Sequence, residues 1–391
     1  MKTTEKVLDS FRRLAFWCEK EGYKGYDPYD GLNSALFRSI PFVSKNRFAK
    51  LAWIQLFKRS PVNLRSLTGV EKGYNSKAIS LFLSAFCNIY RADKRPEYLE
   101  KVNFFAEKLI ELRNTSWSGS SWGYNFDWQA RAFFQPKNMP TVVATTFAGC
   151  ALADAYDVTN TKLYLDHSRS ACDFILRDLN RSYADDGSYA FSYSPVDKSI
   201  VYNASLLGSR LLSRVYSYTH EDELSRNSRL SMIYCCSHQH DDGSWPYGKY
   251  DFHRWIDNFH TGFNLECISD YIKFTGDKTF EENLNKGLDY YLTNFITNNG
   301  VPKYYNNSVY PIDIHSAAQL IVTSIKNGFT IRNEKTDKLI RWTIDNLQSN
   351  EGYFLFQKNK YYTIRIPYMR WAQAWMFYAF SLYILDIGKD G

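Results

Sequence analysis

Three side chains spaced for proton transfer stand out in this chain. Asp257, His260 and Asn264 fall at i, i+3 and i+7, so a helix beginning near 257 carries a carboxylate, an imidazole and an amide on one face. Ile256, Phe259 and Phe263 take other directions. A carboxylate beside an imidazole supplies a general acid or base at neutral pH. Asp313, His315 and Gln319 make a second start of this kind, and Tyr368, Arg370 and Trp371, preceded by Arg365, make a third. Asp127, Trp128, Gln129 and Arg131 lie in a loop before another helix, and Tyr202-Asn203 open a further one.

These residue types divide the work of sugar chemistry. Asp257 or Asp127 suits the acid or base, with Asp313 a further carboxylate, His260 and His315 as proton carriers or orienting groups, and Tyr368 as a proton donor. Arg370 and Arg131 suit bidentate contacts to a uronate carboxylate. Trp128, Trp255 and Trp371 offer flat faces to a sugar ring, and Gln129, Asn203, Asn258 and Asn264 offer amides to its hydroxyls. Plainer roles compete: Asp257 and Asp313 fit helix N-caps, and Arg370 fits a counter-ion for a carboxylate elsewhere in the fold.

The elements that must position these groups are read from a glycine-aromatic punctuation. It recurs at Gly73-Tyr74, Gly123-Tyr124, Gly187-Ser188-Tyr189, Gly243-Ser244-Trp245, Gly300 before Tyr304-Tyr305, and Gly352-Tyr353-Phe354. The intervals of 50, 64, 56, 57 and 52 residues are the length of two helices with their connections. Apolar periodicity predicts helix pairs at 74–91 with 96–113, 141–156 with 162–179, 200–218 with 221–237, 257–274 with 278–297, and 313–328 with 334–348. A last helix over 366–387 takes the N-terminal helix at 3–20 as its partner.

Connections within pairs are short and those between pairs long, which sets all the long loops on one rim. The expected fold is therefore all-α, an (α/α)6 toroid over residues 1–391, with 1–70 supplying N-terminal helices and a loop that closes the ring. An open superhelical solenoid is the competing architecture. On the toroid, the candidate site residues enter from one rim and converge on one funnel.

Composition narrows the functional classes. The formal charge of +7 is spread along the chain without the basic stripe of a nucleic-acid binder, and leaves room for an anionic substrate. Aromatic residues make up 17% and crowd the long loops, which favours stacking on sugars. Seven cysteines suit a reducing compartment. The N-terminal residues lack an apolar run and no window approaches 18 apolar residues, so neither a signal peptide nor a membrane span is expected, and the expected address is cytoplasmic. Cys235, Cys236, His238 and His240 sit too close in sequence for a zinc finger and read as packing and loop, so neither a metal nor a cofactor is expected.

Gln239-His240-Asp241-Asp242-Gly243-Ser244-Trp245 fits the Q-x3-G-x-W pattern of terpenoid-cyclase and prenyltransferase toroids, with a degenerate copy at 348–354. In those families the motif ties an outer helix to the following turn. Neither a D-x-D-D acid nor a D-D-x-x-D magnesium site accompanies it here, so isoprenoid chemistry is not expected.

A wider resemblance rests on Tyr26-Asp27-Pro28-Tyr29-Asp30-Gly31, Trp122-Gly123-Tyr124-Asn125-Phe126-Asp127-Trp128-Gln129, and the stretch from Asp241 through Asp257-Asn258-Phe259-His260-Thr261-Gly262. These runs look like a bacterial exopolysaccharide and capsule biosynthesis family of Vps type, whose members are often mislabelled delta-aminolevulinic acid dehydratases. That enzyme is a β/α barrel, and no strand-helix alternation occurs here. The resemblance implies a role in making or trimming a surface polysaccharide, a glycan or lipid-linked oligosaccharide as ligand, and association with polysaccharide-synthesis proteins. More distantly, the toroid is similar to six-hairpin glycosidases and sugar epimerases. The expected activity is that of an enzyme acting on a glycan, by hydrolysis, by lyase chemistry or by epimerisation through proton abstraction beside a uronate carboxylate; a non-catalytic polysaccharide-binding or scaffold protein is the alternative to an enzyme.

Overall fold

A computed structural model describes residues 2–130, 134–329 and 334–388. Helix α1 (Thr3–Lys20) is followed by two short helices, α2 (Ala35–Arg38) and α3 (Pro41–Lys45), and by α4 (Arg47–Arg59). Five pairs come next: α5 (Ser76–Ala92) with α6 (Pro96–Glu111), α7 (Val142–Thr159) with α8 (Lys162–Asp178), α9 (Tyr202–Thr219) with α10 (Asp222–Cys236), α11 (Asn258–Thr275) with α12 (Glu281–Asn294), and α13 (Ile314–Lys326) with α14 (Glu334–Leu347). A π-helical turn at Met369–Gln373 leads into α15 (Ala374–Ile387).

The odd-numbered helices from α5 to α15 form an inner barrel. Each packs on the next, and α15 packs back on α5, so the ring is closed and the toroid, not the solenoid, is the fold. Helix α1 lies against α14 and α15 as the outer member of the sixth pair. Sequence accounts for the two layers. Outer helix α6 buries Val102, Phe105, Ala106 and Leu109, a stripe at i, i+3, i+4 and i+7, whereas inner helix α7 is buried almost all round and is apolar to match.

The loops on the mouth are laced together by a repeated backbone bond. The first N–H of a helix has no partner inside its own helix. Here it donates to an aromatic residue's carbonyl in the next repeat: Val142 to Tyr193 (2.9 Å), Tyr202 to Tyr247 (3.2 Å), Asn258 to Tyr304 (2.9 Å), Ile314 to Phe356 (3.1 Å) and Met369 to Tyr26 (3.1 Å). Short antiparallel pairs add to the lacing: β1 (Trp128–Gln129) with β2 (Phe134–Gln135), β3 (Arg181–Tyr183) with β4 (Tyr189–Phe191), and β5 (Ile312–Asp313), β6 (Gln357–Lys358) and β7 (Thr363–Ile364) in one ribbon.

The Q-x3-G-x-W motif is structural, as expected. The Gln239 amide donates to the Gly243 carbonyl and to the Asn283 carbonyl on α12, both at 3.0 Å, and Trp245 Nε1 donates to the Cys235 carbonyl at 3.0 Å. The copy at Gln348 reaches the Gly352 carbonyl and, across the ring closure, the Ser10 carbonyl on α1. Cys235 and His238 are occupied locally: the thiol meets the Tyr202 carbonyl, and the imidazole Nδ1 meets the Tyr234 carbonyl at 2.8 Å. Several boundaries shift by up to three residues. The sixth inner helix begins at 369, not 366, because the chain before it pairs as β7 and then runs extended, α12 is three residues shorter at each end than expected, and the covering helix α4 has no counterpart among the predicted pairs.

Gly243 holds the turn at φ +88°, and a Cβ there would lie 2.2 Å from the Lys286 carbonyl oxygen. Gly243→Ala is therefore expected to destabilise the fold by roughly 1–3 kcal/mol from backbone strain, with the clash in addition. Denaturant unfolding checks this, and an unchanged midpoint would contradict the tie between repeats.

Candidate active site

A cavity of about 550 Å³ opens among the N-terminal ends of the inner helices. Helix α4 covers one side with Leu51, Gln55, Lys58 and Arg59. Aromatic rings from the rim loops make much of the wall, including Tyr29, Tyr124, Trp128, Tyr193, Tyr247, Trp255 and Tyr304.

Asp257 and His260 form a dyad on this wall. One Asp257 oxygen caps α11, accepting from the His260 amide at 3.0 Å. The other meets His260 Nδ1 at 2.7 Å and accepts from Trp255 Nε1 at 2.9 Å. The cap and the catalytic readings thus describe the same carboxylate. A carboxylate partner fixes the imidazole tautomer with Nδ1 protonated and leaves Nε2 as the basic nitrogen. Both residues line the cavity. Tyr247 lies 4.5 Å from the imidazole, centroid to centroid, and Trp255 stacks on Tyr247 at 4.6 Å, so the dyad is held within a packed aromatic frame.

His315 faces the same cavity from α13. Phe259 lies between the two imidazoles, its ring 4.2 Å from His260 and stacked at 4.6 Å on His315. Neither His315 nitrogen has a hydrogen-bond partner among the described residues. Burial, then the positive charges of Lys77, Arg370 and His260, hold its pKa well below the usual histidine value, so it is a neutral imidazole.

Lys77, in the first turn of α5, also borders the cavity. Its amine sits over the rings of Phe147 (4.2 Å), Phe263 (4.7 Å) and Trp375 (5.2 Å), and no carboxylate pairs with it among the described residues. Burial, followed by repulsion from Arg370, lowers its pKa well below that of a free lysine. Lys58 also lines the wall, with Nζ donating to the Tyr29 hydroxyl at 2.8 Å. Among the described lining residues, Lys58, Arg59, Lys77 and Arg370 face a single carboxylate, that of Asp257.

Of the residues expected to converge, Asp257, His260, His315, Trp128, Gln129, Asn203, Trp255, Arg370 and Trp371 do line the cavity. Others do not. Asp127 lies in the loop above and is occupied by Arg38 and the Lys137 amide, so it is no acid of this cavity. Asp313 is wholly buried behind the wall, where it caps α13 and accepts from Trp371 Nε1 (2.9 Å) and Gln357 (3.1 Å). Tyr368 is buried with its ring beneath Arg65, 4.6 Å away, which removes it as a proton donor. Asn258 faces away, bonding the Lys303 carbonyl and the Tyr291 hydroxyl. Asn264 lies one turn deeper, in a small recess shared with Asp257 and His260. Arg131 lies outside the described residues. Arg370 is in place but not free: Asp27 grips it bidentately, with Nη2 to Oδ1 at 2.8 Å, while Tyr124 and Trp371 flank the guanidinium.

Sequence reasoning missed Asp27, Tyr29, Lys58, Lys77 and the wall tyrosines as parts of the site. The dense run Tyr26-Asp27-Pro28-Tyr29-Asp30 was the available signal for two of them; Lys77 carries none, being one lysine in an apolar helix start. No three His, Cys, Asp or Glu side chains among the described residues are grouped to hold a metal ion.

No family model matches the chain, and neither does the sequence of any curated protein. Solved structures do match in fold. A cellobiose 2-epimerase from Bacillus thermoamylovorans superposes with a TM-score of 0.62 at 15% identity, over 80% of this chain and 88% of that one. A family 76 α-mannanase from Bacteroides thetaiotaomicron gives 0.64 at 11%, over 83% and 90%. An unsaturated glucuronyl hydrolase specific for heparin gives 0.57 at 12%, over 81% and 87%. At these identities the likeness establishes the shared (α/α)6 toroid.

Burial raises the Asp313 carboxyl to about 6 despite the bonds it accepts. Between about pH 4 and 6 the folded chain then holds a proton that the unfolded chain has released. This group favours the fold below that window and loses its contribution as pH rises through it. Asp313→Asn is expected to abolish that component, so that wild type falls relative to the variant by roughly 2–3 kcal/mol from pH 4 to 7. Parallel urea titrations across the window measure it; a constant difference would refute the assignment.

Proposed function

We propose that this protein is a glycan-acting enzyme that moves a proton at a sugar carbon, with a uronate-containing glycan as substrate. The observation that carries this reading is the make-up of the cavity: two imidazoles on neighbouring helices with a third, His253, from a rim loop, one carboxylate spent on orienting an imidazole, and a buried amine with no carboxylate partner among the described residues. Glycosidases of the usual kind need two carboxyl groups flanking the scissile bond. Among the described residues this cavity offers one, because Asp313 is behind the wall and Asp127 outside it.

In this mechanism His260 Nε2 takes the proton from the carbon beside the uronate carboxylate, while Asp257 steadies the imidazolium that forms. Negative charge builds on the carboxylate, where Lys77 and the Asp27-held Arg370 oppose it. Return of a proton from solvent to the other face of the carbon gives epimerisation, after which His260 releases the proton it took; elimination breaks the neighbouring C–O bond, the leaving oxygen taking the proton from the His260 imidazolium. Trp128, Trp255 and Trp371 would stack on flanking sugars. The printed identities of the structural neighbours, an epimerase and a glucuronyl hydrolase among them, agree with a carbohydrate ligand.

The resemblance in the Asp257–Gly262 run supports a place in the assembly of a cell-surface polysaccharide, with a glycan or lipid-linked oligosaccharide as ligand and other polysaccharide-synthesis proteins as partners. Seven unpaired thiols, six of them buried, suit a cytoplasmic site of action.

Uronate oligosaccharides incubated with the protein in deuterium oxide test the reaction. Deuterium should appear at the carbon beside the carboxylate, or an unsaturated uronate should form, and His260→Gln should slow this by about 10²–10⁴-fold. Hydrolysis without exchange would overturn proton abstraction. Glycan binding without turnover, unaltered by Asp257→Asn and His260→Gln, would leave a binding protein. Lys77→Met should raise KM for uronate substrates far more than for neutral ones; an equal effect would remove Lys77 from carboxylate recognition.

A further inference from the structure

We infer that the helical cover over the cavity is a docking surface for a bilayer rich in anionic phospholipid. Between Asp30 and Glu71 the chain has no acidic residue, yet it carries seven lysines and arginines. Arg65 turns inward to Asp30 and Lys58 to Tyr29, while Lys45, Arg47 and Arg59 are exposed. The same stretch exposes large apolar side chains, with Phe42 at 92%, Phe48 at 76% and Leu56 at 50%. Helix α3 buries none of its five residues, and α4 buries only Ile54 and Phe57.

Folding does not explain this arrangement, since water-facing phenylalanines add nothing to the core. Exposed rings flanked by cations, where the nearby carboxylate of Asp127 is taken up by Arg38, match an anionic interface, where rings enter the acyl boundary and ammonium and guanidinium groups meet phosphates. The loop before α15, on the same rim, adds Tyr361 at 86% exposure beside Lys360. The adjoining flank of α4 supplies Leu51, Gln55, Lys58 and Arg59 to the cavity wall. Docking through α3 and α4 would therefore bring the cavity's mouth to the membrane surface, within reach of a glycan carried on a lipid. This holds whatever reaction the cavity performs.

Flotation with vesicles of phosphatidylcholine alone, and of phosphatidylcholine mixed with phosphatidylglycerol, tests the inference on the full chain. The protein should float with the mixed vesicles, less so at raised salt, and stay unbound with phosphatidylcholine alone. Phe42→Ser with Phe48→Ser, and separately Lys45→Glu, should each weaken binding at least about tenfold while leaving the melting temperature and glycan binding unchanged. Absence of binding to mixed vesicles, or variants that bind as wild type does, would overturn it. So would sedimentation showing that the phenylalanine pair only dissociates a dimer, which would make the face a contact between copies.

Discussion

The structure depends on one recurring bond. An inner helix begins with an amide that has no acceptor in its own helix, and in five of the six repeats the acceptor is an aromatic residue's carbonyl in the repeat that follows. The bond does two things at once. It fixes the start of each inner helix against its neighbour, and it anchors the backbone of a residue whose side chain, for Tyr193, Tyr247 and Tyr304, forms the cavity wall. Helix start, loop path and wall are thus set together, and the side chains just inside each start, such as His260 and His315, inherit that placement.

What could be read beforehand was what depends on local periodicity. The spacing of Asp257 and His260 forces proximity as soon as the helix forms, and the glycine-aromatic interval fixes the number of pairs. Contacts closing over long separations left no such trace. Arg370 is held by Asp27, 343 residues away, and nothing near either residue marks the other. Asp313 also opens an inner helix just ahead of a histidine, at i+2 rather than i+3, yet its carboxylate is enclosed by Trp371 and Gln357, so similar helix starts leave one carboxylate on the cavity wall and the other behind it. The cover helix α4 was legible only as one of the N-terminal helices expected in 1–70, without bounds or position, because its pattern belongs to no pair.

Charge organises the site as firmly as shape. Among the described lining residues one carboxylate and several cations share a largely aromatic wall, and the cations are treated differently. Arg370 has its counter-ion, so it keeps its charge and its position; Lys77 has only ring faces, which stabilise a cation weakly. An entering carboxylate would therefore restore to Lys77 the charge that burial suppresses, and the ligand would meet its strongest attraction only once fully seated.

Closure of the barrel also has a temporal side. Helix α15 must find both α5 and α1, and the Asp27–Arg370 pair joins residues 343 positions apart, so the ring stays open until α15 has been made. While the ribosome is still working, the nascent polypeptide is an unfinished arc with two raw edges, one formed by α5 and the other by whichever hairpin emerged last. Such an arc exposes apolar surface until α15 closes it, and surface of this kind is where partly made chains associate with one another.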